Sequence, residues 1–282
     1  MTVMIIVALG IFGVIFGSFI NALVWRLHEQ EALSGKKTKA AVRRRAELSI
    51  ARGRSMCPHC EHTLAAKDLV PVLSWLFLRG KCRYCQAPIS WQYPAVELLT
   101  GLLFAWSYVA WPLELHGVGL FQFACWLVFL VGFVALAVYD LRWFLLPDRI
   151  VLPLTVLAGL QTLVVALWTR DVAQLYTPLL AAAIIFGLFW LLFQASRGAW
   201  IGGGDVKLAI TLGLLAATPL KAFMVIFFAS LLGTVVSIPL LLHSKRGLKL
   251  QIPFGPYLLA ATIIVVLHGS AIVDWYQRLL LG

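Results

Sequence analysis

The stretch Gly119–Tyr139, GLFQFACWLVFLVGFVALAVY, is followed at once by Asp140. It runs for about twenty residues without a charge, long enough to cross the roughly 30 Å hydrocarbon core of a bilayer as a helix rising 1.5 Å per residue. Runs of the same kind recur along the chain, and 61% of its residues are hydrophobic against 12% charged. The fold expected is therefore an all-α polytopic membrane protein with about eight transmembrane helices. They are expected near residues 1–24, 94–113, 119–139, 150–168, 175–195, 206–217, 222–242 and 254–271. The sixth is too short to span unless it begins nearer Ala199. The first could pass for a signal peptide, but it lacks a basic leading segment and its positive charges follow the apolar run. It reads as a retained helix with its N-terminus outside.

Eight crossings from that start put 25–93, 140–149, 196–207 and 243–253 in the cytoplasm. Those stretches carry all but three of the 23 Lys and Arg, the exceptions being Arg170, Lys221 and Arg278. This is the asymmetry of the positive-inside rule. The net charge of +11 is concentrated in the first of them, at Lys36, Lys37, Lys39 and Arg43-Arg44-Arg45. There it fixes orientation and can lie on anionic lipid headgroups; no nucleic-acid motif accompanies it.

Domain organisation follows from the same pattern. A first helix (1–24) precedes a soluble cytoplasmic insertion (25–93), and a seven-helix membrane domain (94–282) completes the chain. The insertion holds Cys57-Pro58-His59-Cys60 and Cys82-Arg83-Tyr84-Cys85, two CxxC knuckles 21 residues apart. Paired knuckles point to a tetrahedral site for Zn2+ with Cys57, Cys60, Cys82 and Cys85 as ligands. Four thiolates leave no open position for water, so the metal is expected to be structural and to stabilise a segment too small for a core of its own. His59 and His62 are read as surface residues, and Cys125 as inert packing within the third helix.

Asp140 ends one apolar run and Asp205 stands at the head of another, in Gly202-Gly203-Gly204-Asp205. Carboxylates at a membrane edge are costly and mark functional sites by default. On the topology above the two face the same side, so they can form an aspartyl protease pair. Two carboxyls within a few Å cannot both ionise cheaply, so one stays protonated while the other is charged. Charged and protonated members then serve as general base and general acid. Gly202, Gly203 and Gly204 would let a substrate backbone approach. Glu97, Asp148 and Lys207 are further site-lining candidates, although Asp148 and Glu97 also suit helix starts, and Lys207 suits a headgroup. Asp205 could equally cap its helix. A competing class is a transporter or membrane scaffold using Asp140 and Asp205 as a proton or cation relay. The chain has neither G-x-S-x-G nor H-E-x-x-H, which disfavours serine and zinc-protease chemistry.

Several short stretches occur together over nearly the whole chain. They are Gly17-Ser18-Phe19-Ile20-Asn21, the two knuckles, Ser74-Trp75-Leu76 with Arg79-Gly80-Lys81-Cys82, and Tyr93-Pro94 with Glu97. The Asp140–Asp148 segment, Gly202–Lys207 and Pro253-Phe254-Gly255-Pro256 complete the series. In this order the sequence resembles the type IV prepilin peptidases. The resemblance implies a bifunctional enzyme of the bacterial inner membrane that removes the basic leader of type IV prepilins or type II secretion pseudopilins after a glycine. It then N-methylates the new N-terminal residue, usually Phe, with S-adenosylmethionine as donor. It also implies that Asp140 and Asp205 are the peptidase acids and that the cysteine module is associated with methylation. Residues binding the methyl donor, and the oligomeric state, are not indicated.

Overall fold

A computed structural model describes residues 1–36, 38–50, 53–243 and 252–281. Lys37 of the basic run, and 244–251 of the fourth basic stretch, lie outside the described residues. Among the described residues ten α-helices are found: α1 (Thr2–Ala32), α2 (Lys39–Glu47), α3 (Leu73–Phe77), α4 (Gln92–Val109), α5 (Gly117–Trp143), α6 (Asp148–Thr169), α7 (Ala173–Ser196), α8 (Gly203–Ala216), α9 (Pro219–His243) and α10 (Gly255–Leu281). Among the described residues there is no strand, only two isolated bridges, Met56 with Thr63 and Lys81 with Pro88.

Among the described residues six helices are long and apolar enough to cross a membrane: Thr2–Ala32, Gly117–Trp143, Asp148–Thr169, Ala173–Ser196, Pro219–Leu242 and Gly255–Leu279. The protein is thus an all-helical, multi-pass membrane protein; length and composition single out six candidate spans among the described residues and do not by themselves confirm the count of eight. The other two expected spans are helical but shorter. The α4 helix has only 18 residues and carries Glu97 near its start. The α8 helix has 14 residues, or about 21 Å at 1.5 Å per residue, and starts at Gly203 rather than at Ala199 or Val206.

Several helices also outrun the hydropathy signal. The α1 helix continues past Val24 to Ala32 because its polar tail is anchored: the buried Arg26 guanidinium donates to the carbonyls of Ser49, Ile50 and Gly53 at 3.1, 3.3 and 3.0 Å. The α10 helix likewise runs well beyond residue 271.

The chain divides into two compact units, Met1–Val109 and Ala110–Gly282. In the first, α1 lies along α4 through glycines. A Cβ on Gly13 would stand 2.6 Å from the Thr100 carbonyl oxygen, and one on Gly17 would stand 2.5 Å from Glu97 Cα. Small residues four apart allow this close helix approach. In the second unit, α8 is enclosed by α6, α7, α9 and α10, and even its polar Thr211 is fully buried. Its tightest contact is at Gly213, where any Cβ would collide with the Ala182 backbone of α7. Only Ala217 and Thr218 separate α8 from α9. The C-terminus of α5 and the N-termini of α6, α8 and α10 then gather at one end of this unit.

Candidate active site and metal centre

Asp140 lies in the last turn of α5, which closes on Phe144 in the left-handed region (φ 56°), with the Phe144 N–H bonded to the Asp140 carbonyl at 2.9 Å. Its side chain is buried and accepts a hydrogen bond from the Gly255 N–H at the start of α10. Asp205 is the third residue of α8. Its N–H bonds the Gly202 carbonyl at 3.1 Å while its carboxylate takes the N–H of Gly202, the residue that caps the helix. Only 9% of Asp205 is exposed, and its Oδ1 has no hydrogen-bond partner among the described residues. A buried acceptor without a donor is rare in folded proteins and needs explanation. The carboxylates of Asp140 and Asp205, far apart in sequence, interact electrostatically with each other.

Leu146, in the turn between α5 and α6, packs between two glycines of this site. A Cβ on Gly204 would stand 2.9 Å from Leu146 Cβ, and one on Gly255 would stand 3.4 Å from Leu146 Cδ2 and 2.5 Å from Asp140 Oδ2. Both glycines are therefore required by close approach: a larger residue at either would displace the groups around the acids. Leu146 and Gly255 were not among the sequence candidates. Gly255 had its signal in Pro253-Phe254-Gly255-Pro256, whereas Leu146 looks like any loop leucine.

The remaining candidates separate. Lys207 Nζ bridges both oxygens of Asp148 at 2.8 Å, tying α8 to the first turn of α6, with both side chains about half exposed. Gly202 and Gly203 begin α8, and an added Cβ on Gly202 would reach Asp205 Oδ2 at 3.3 Å. Glu97 belongs to the first unit, where it is buried on α4. It accepts hydrogen bonds from the Val72 N–H at 2.6 Å and from Ser18. Val72 has φ +61°, a strained conformation for a β-branched residue, and this bond helps to hold it there.

The four knuckle cysteines form a separate cluster in the first unit, their Sγ atoms all within 4.8 Å of one another. Both knuckles fold alike. The Cys57 N–H bonds the His62 carbonyl and Glu61 N–H bonds the Cys57 carbonyl, while Cys82 N–H bonds Ala87 and Gln86 N–H bonds Cys82. Glu61 and Gln86 both turn through positive φ, at 56° and 58°. Cys57 Sγ and Cys85 Sγ are 3.9 Å apart, too far for a disulfide but close to the ~3.8 Å between sulfurs of a tetrahedral site with 2.3 Å Zn–S bonds.

Electrostatics point the same way. Burial pushes the Cys57 thiol up. Burial works against ionising Cys82 too, but the Cys85 and Tyr84 backbone N–H groups and the neighbouring thiols outweigh it and bring Cys82 down to about 7. The Ala87 N–H favours the Cys85 thiolate, yet burial and the adjoining thiols push it up to about 12. Crowded thiols of this kind need a cation before all can ionise. The donor set fits a soft tetrahedral metal. His62 instead lies over the Tyr84 ring at 3.7 Å between centroids. Cys125, outside this cluster, is buried in α5.

Residues 11–111 match the family described as bacterial peptidase A24 N-terminal domain, and residues 127–238 match the type IV leader peptidase family. Among similar curated proteins is the prepilin leader peptidase/N-methyltransferase of Bacillus subtilis, 34% identical, with the match covering 83% of this chain and 90% of that protein. The proteins of the same name from Stutzerimonas stutzeri and Pseudomonas aeruginosa are 32% and 31% identical. Those matches cover 95% and 94% of this chain, and 92% and 91% of theirs. No solved structure matches the chain.

Proposed function

We propose, from the premise that this chain belongs to the type IV leader peptidase family, that it removes the leader of prepilins and N-methylates the exposed N-terminus, with Asp140 and Asp205 as its peptidase acids. The observation that carries the assignment of the acids is their convergence: two buried carboxylates from α5 and α8 lie in each other's field, one with a bare oxygen.

The chemistry needs no covalent intermediate. The ionised acid takes a proton from water as the water attacks the scissile carbonyl. The protonated acid donates to the carbonyl oxygen, and the roles then reverse. Gly255 and Gly202 steady the two carboxylates through their N–H groups, and Leu146 packs beside them. A bilayer-edge position on the cytoplasmic side suits a substrate with a polar leader in water and an apolar segment in lipid. The charge asymmetry of the loops supports that orientation, with the cysteine module on the same side.

Cys57, Cys60, Cys82 and Cys85 would hold Zn2+, which supplies folding free energy rather than a reactive position. S-adenosylmethionine is the methyl donor we assign; it supplies an electrophilic methyl group to the new terminal amine. Prepilins or secretion pseudopilins are the substrates assigned.

Incubating the purified enzyme with a prepilin and following mass tests both activities. Wild type should release the leader, and adding S-adenosylmethionine should raise the mature product by about 14 Da, the mass of one CH2. Asp140→Asn and Asp205→Asn should each stop leader release. Cleavage surviving in either variant would remove that residue from the mechanism, and an unchanged product mass would remove the methyl donor.

A further inference from the structure

Between α9 and the beginning of α10 lies a cavity of about 430 Å³. Its walls include Ser230, Thr234 and Ser237 of α9, Phe254 just before α10 and Tyr257 in its first turn, and among the described residues no charged side chain lines it. The three α9 hydroxyls recur at spacings of four and three, so they share one helix face. They span about 10 Å at 1.5 Å per residue, close to the length of three residues of extended chain. Such a row is unusual on a helix as apolar as this one. Local bonding explains part of it. Thr234 donates to the Ser230 carbonyl at 2.7 Å, and Ser237 hydrogen-bonds the Tyr257 hydroxyl. Each hydroxyl oxygen still has acceptor capacity beyond those bonds. Nearby, Pro239 lacks the N–H that would otherwise bond the Val235 carbonyl.

The cavity and the acids share the start of α10: Phe254 and Tyr257 line the cavity, while Gly255 between them approaches Asp140 Oδ2 and donates its N–H to that carboxylate. A protease cleaves an extended strand, because a helical peptide bond has its carbonyl engaged and its faces covered. Unwinding a membrane-seated helix strips backbone N–H and C=O groups of partners where no water replaces them. A hydroxyl row within an aromatic-walled cavity meets that need, and among its described lining residues there is no acid to hold a basic leader.

We propose that this cavity is a substrate subsite receiving, in extended form, the uncharged residues that follow the scissile bond, with Ser230, Thr234, Ser237 and Tyr257 bonding the unwound backbone. This rests on Asp140 and Asp205 being the acids.

Gly233 provides the test, since its missing side chain faces the cavity: a Cβ there would stand 3.5 Å from Tyr257 and 3.7 Å from Phe254, ordinary contact distances. In vesicles of phosphatidylethanolamine and phosphatidylglycerol, Gly233→Leu should lower kcat/KM for prepilin cleavage at least about tenfold, mainly through KM. In parallel, a benzophenone amino acid replacing Thr234 in the full-length Asp205→Asn enzyme should crosslink to the segment after the scissile bond. An unchanged KM in folded Gly233→Leu overturns the proposal. So does capture of the leader, of lipid alone, or of nothing at position 234, and this arm decides the matter should Gly233→Leu not fold. Cleavage by Asp140→Asn or Asp205→Asn would instead strike at the assignment of the acids.

Discussion

Replacing Gly255 with alanine is the sharpest perturbation of the site short of removing an acid. The new methyl carbon would sit 2.5 Å from Asp140 Oδ2, 3.3 Å from its Cγ and 3.4 Å from Leu146 Cδ2. Carbon and oxygen at rest stand about 3.4 Å apart, so the carboxylate or the start of α10 must yield by nearly 1 Å. The helical start itself tolerates alanine, so the cost falls on Asp140 and on the hydrogen bond that Gly255 gives it. Overpacking of this kind costs about 1–3 kcal/mol. A reacting group misplaced by 1 Å costs about a hundredfold in rate. Gly255→Ala should therefore remain folded and bind metal normally but cleave a prepilin about a hundredfold more slowly in kcat. The control is Gly187→Ala on α7, where an added Cβ meets nothing within 4 Å and helix propensity improves by ~0.8–1 kcal/mol. Single-turnover cleavage followed by mass, beside thermal unfolding of each variant, separates rate from stability. Wild-type kcat in Gly255→Ala would refute the packing argument.

Further outcomes follow from other parts of the molecule. Gly213→Ala forces a methyl into the Ala182 backbone, so the α7–α8 pair should lose about 1–3 kcal/mol, seen as a lower unfolding midpoint in detergent. Removing metal with a strong chelator, or replacing Cys57 with serine, should loosen the module at 53–91 while leaving helix content in the rest of the chain. Proteolysis confined to that segment would show it, and equal resistance before and after chelation would deny a metal role. The Asp68 side chain is covered, which by itself raises its pKa, but hydrogen bonds from Arg83 at 2.7 Å and Tyr84 at 2.9 Å hold it below the ordinary value. Its stabilisation, no more than about 1 kcal/mol because Arg83 is partly exposed, is complete above about pH 4 and fades as pH falls through the lowered value. The stability gap between wild type and Asp68→Asn should accordingly be constant near neutrality and close in acid; a gap that widens in acid would reverse the sign.

Much of this architecture could be read from residues because it depends on local chemistry. Uncharged runs of helical length announce α5, α6, α7, α9 and α10, and two CxxC pairs announce a cluster whose geometry is set within each knuckle. What escaped reading depends on contacts between distant segments. The polar end of α1 has no hydropathy signal and is helical because Arg26 finds three carbonyls more than twenty residues away. The α8 helix is short yet deeply buried because its neighbours enclose it, which its own composition does not reveal. Asp140 and Asp205 stood out as rare acids beside apolar runs. The glycine and leucine that pack them did not, since a missing Cβ has meaning only against the atom that takes its place. Glu97 stood out for the same reason as the aspartates, but its carboxylate holds the strained Val72 in the first unit.

The account turns on two carboxyl groups acting as one catalytic unit, and single-turnover leader cleavage by Asp140→Asn, Asp205→Asn and the double variant tests this directly. Groups that act together are non-additive, so each single substitution should remove nearly all the activity that the double removes. Independent losses that multiply in the double variant, or cleavage persisting in either single one, would contradict it.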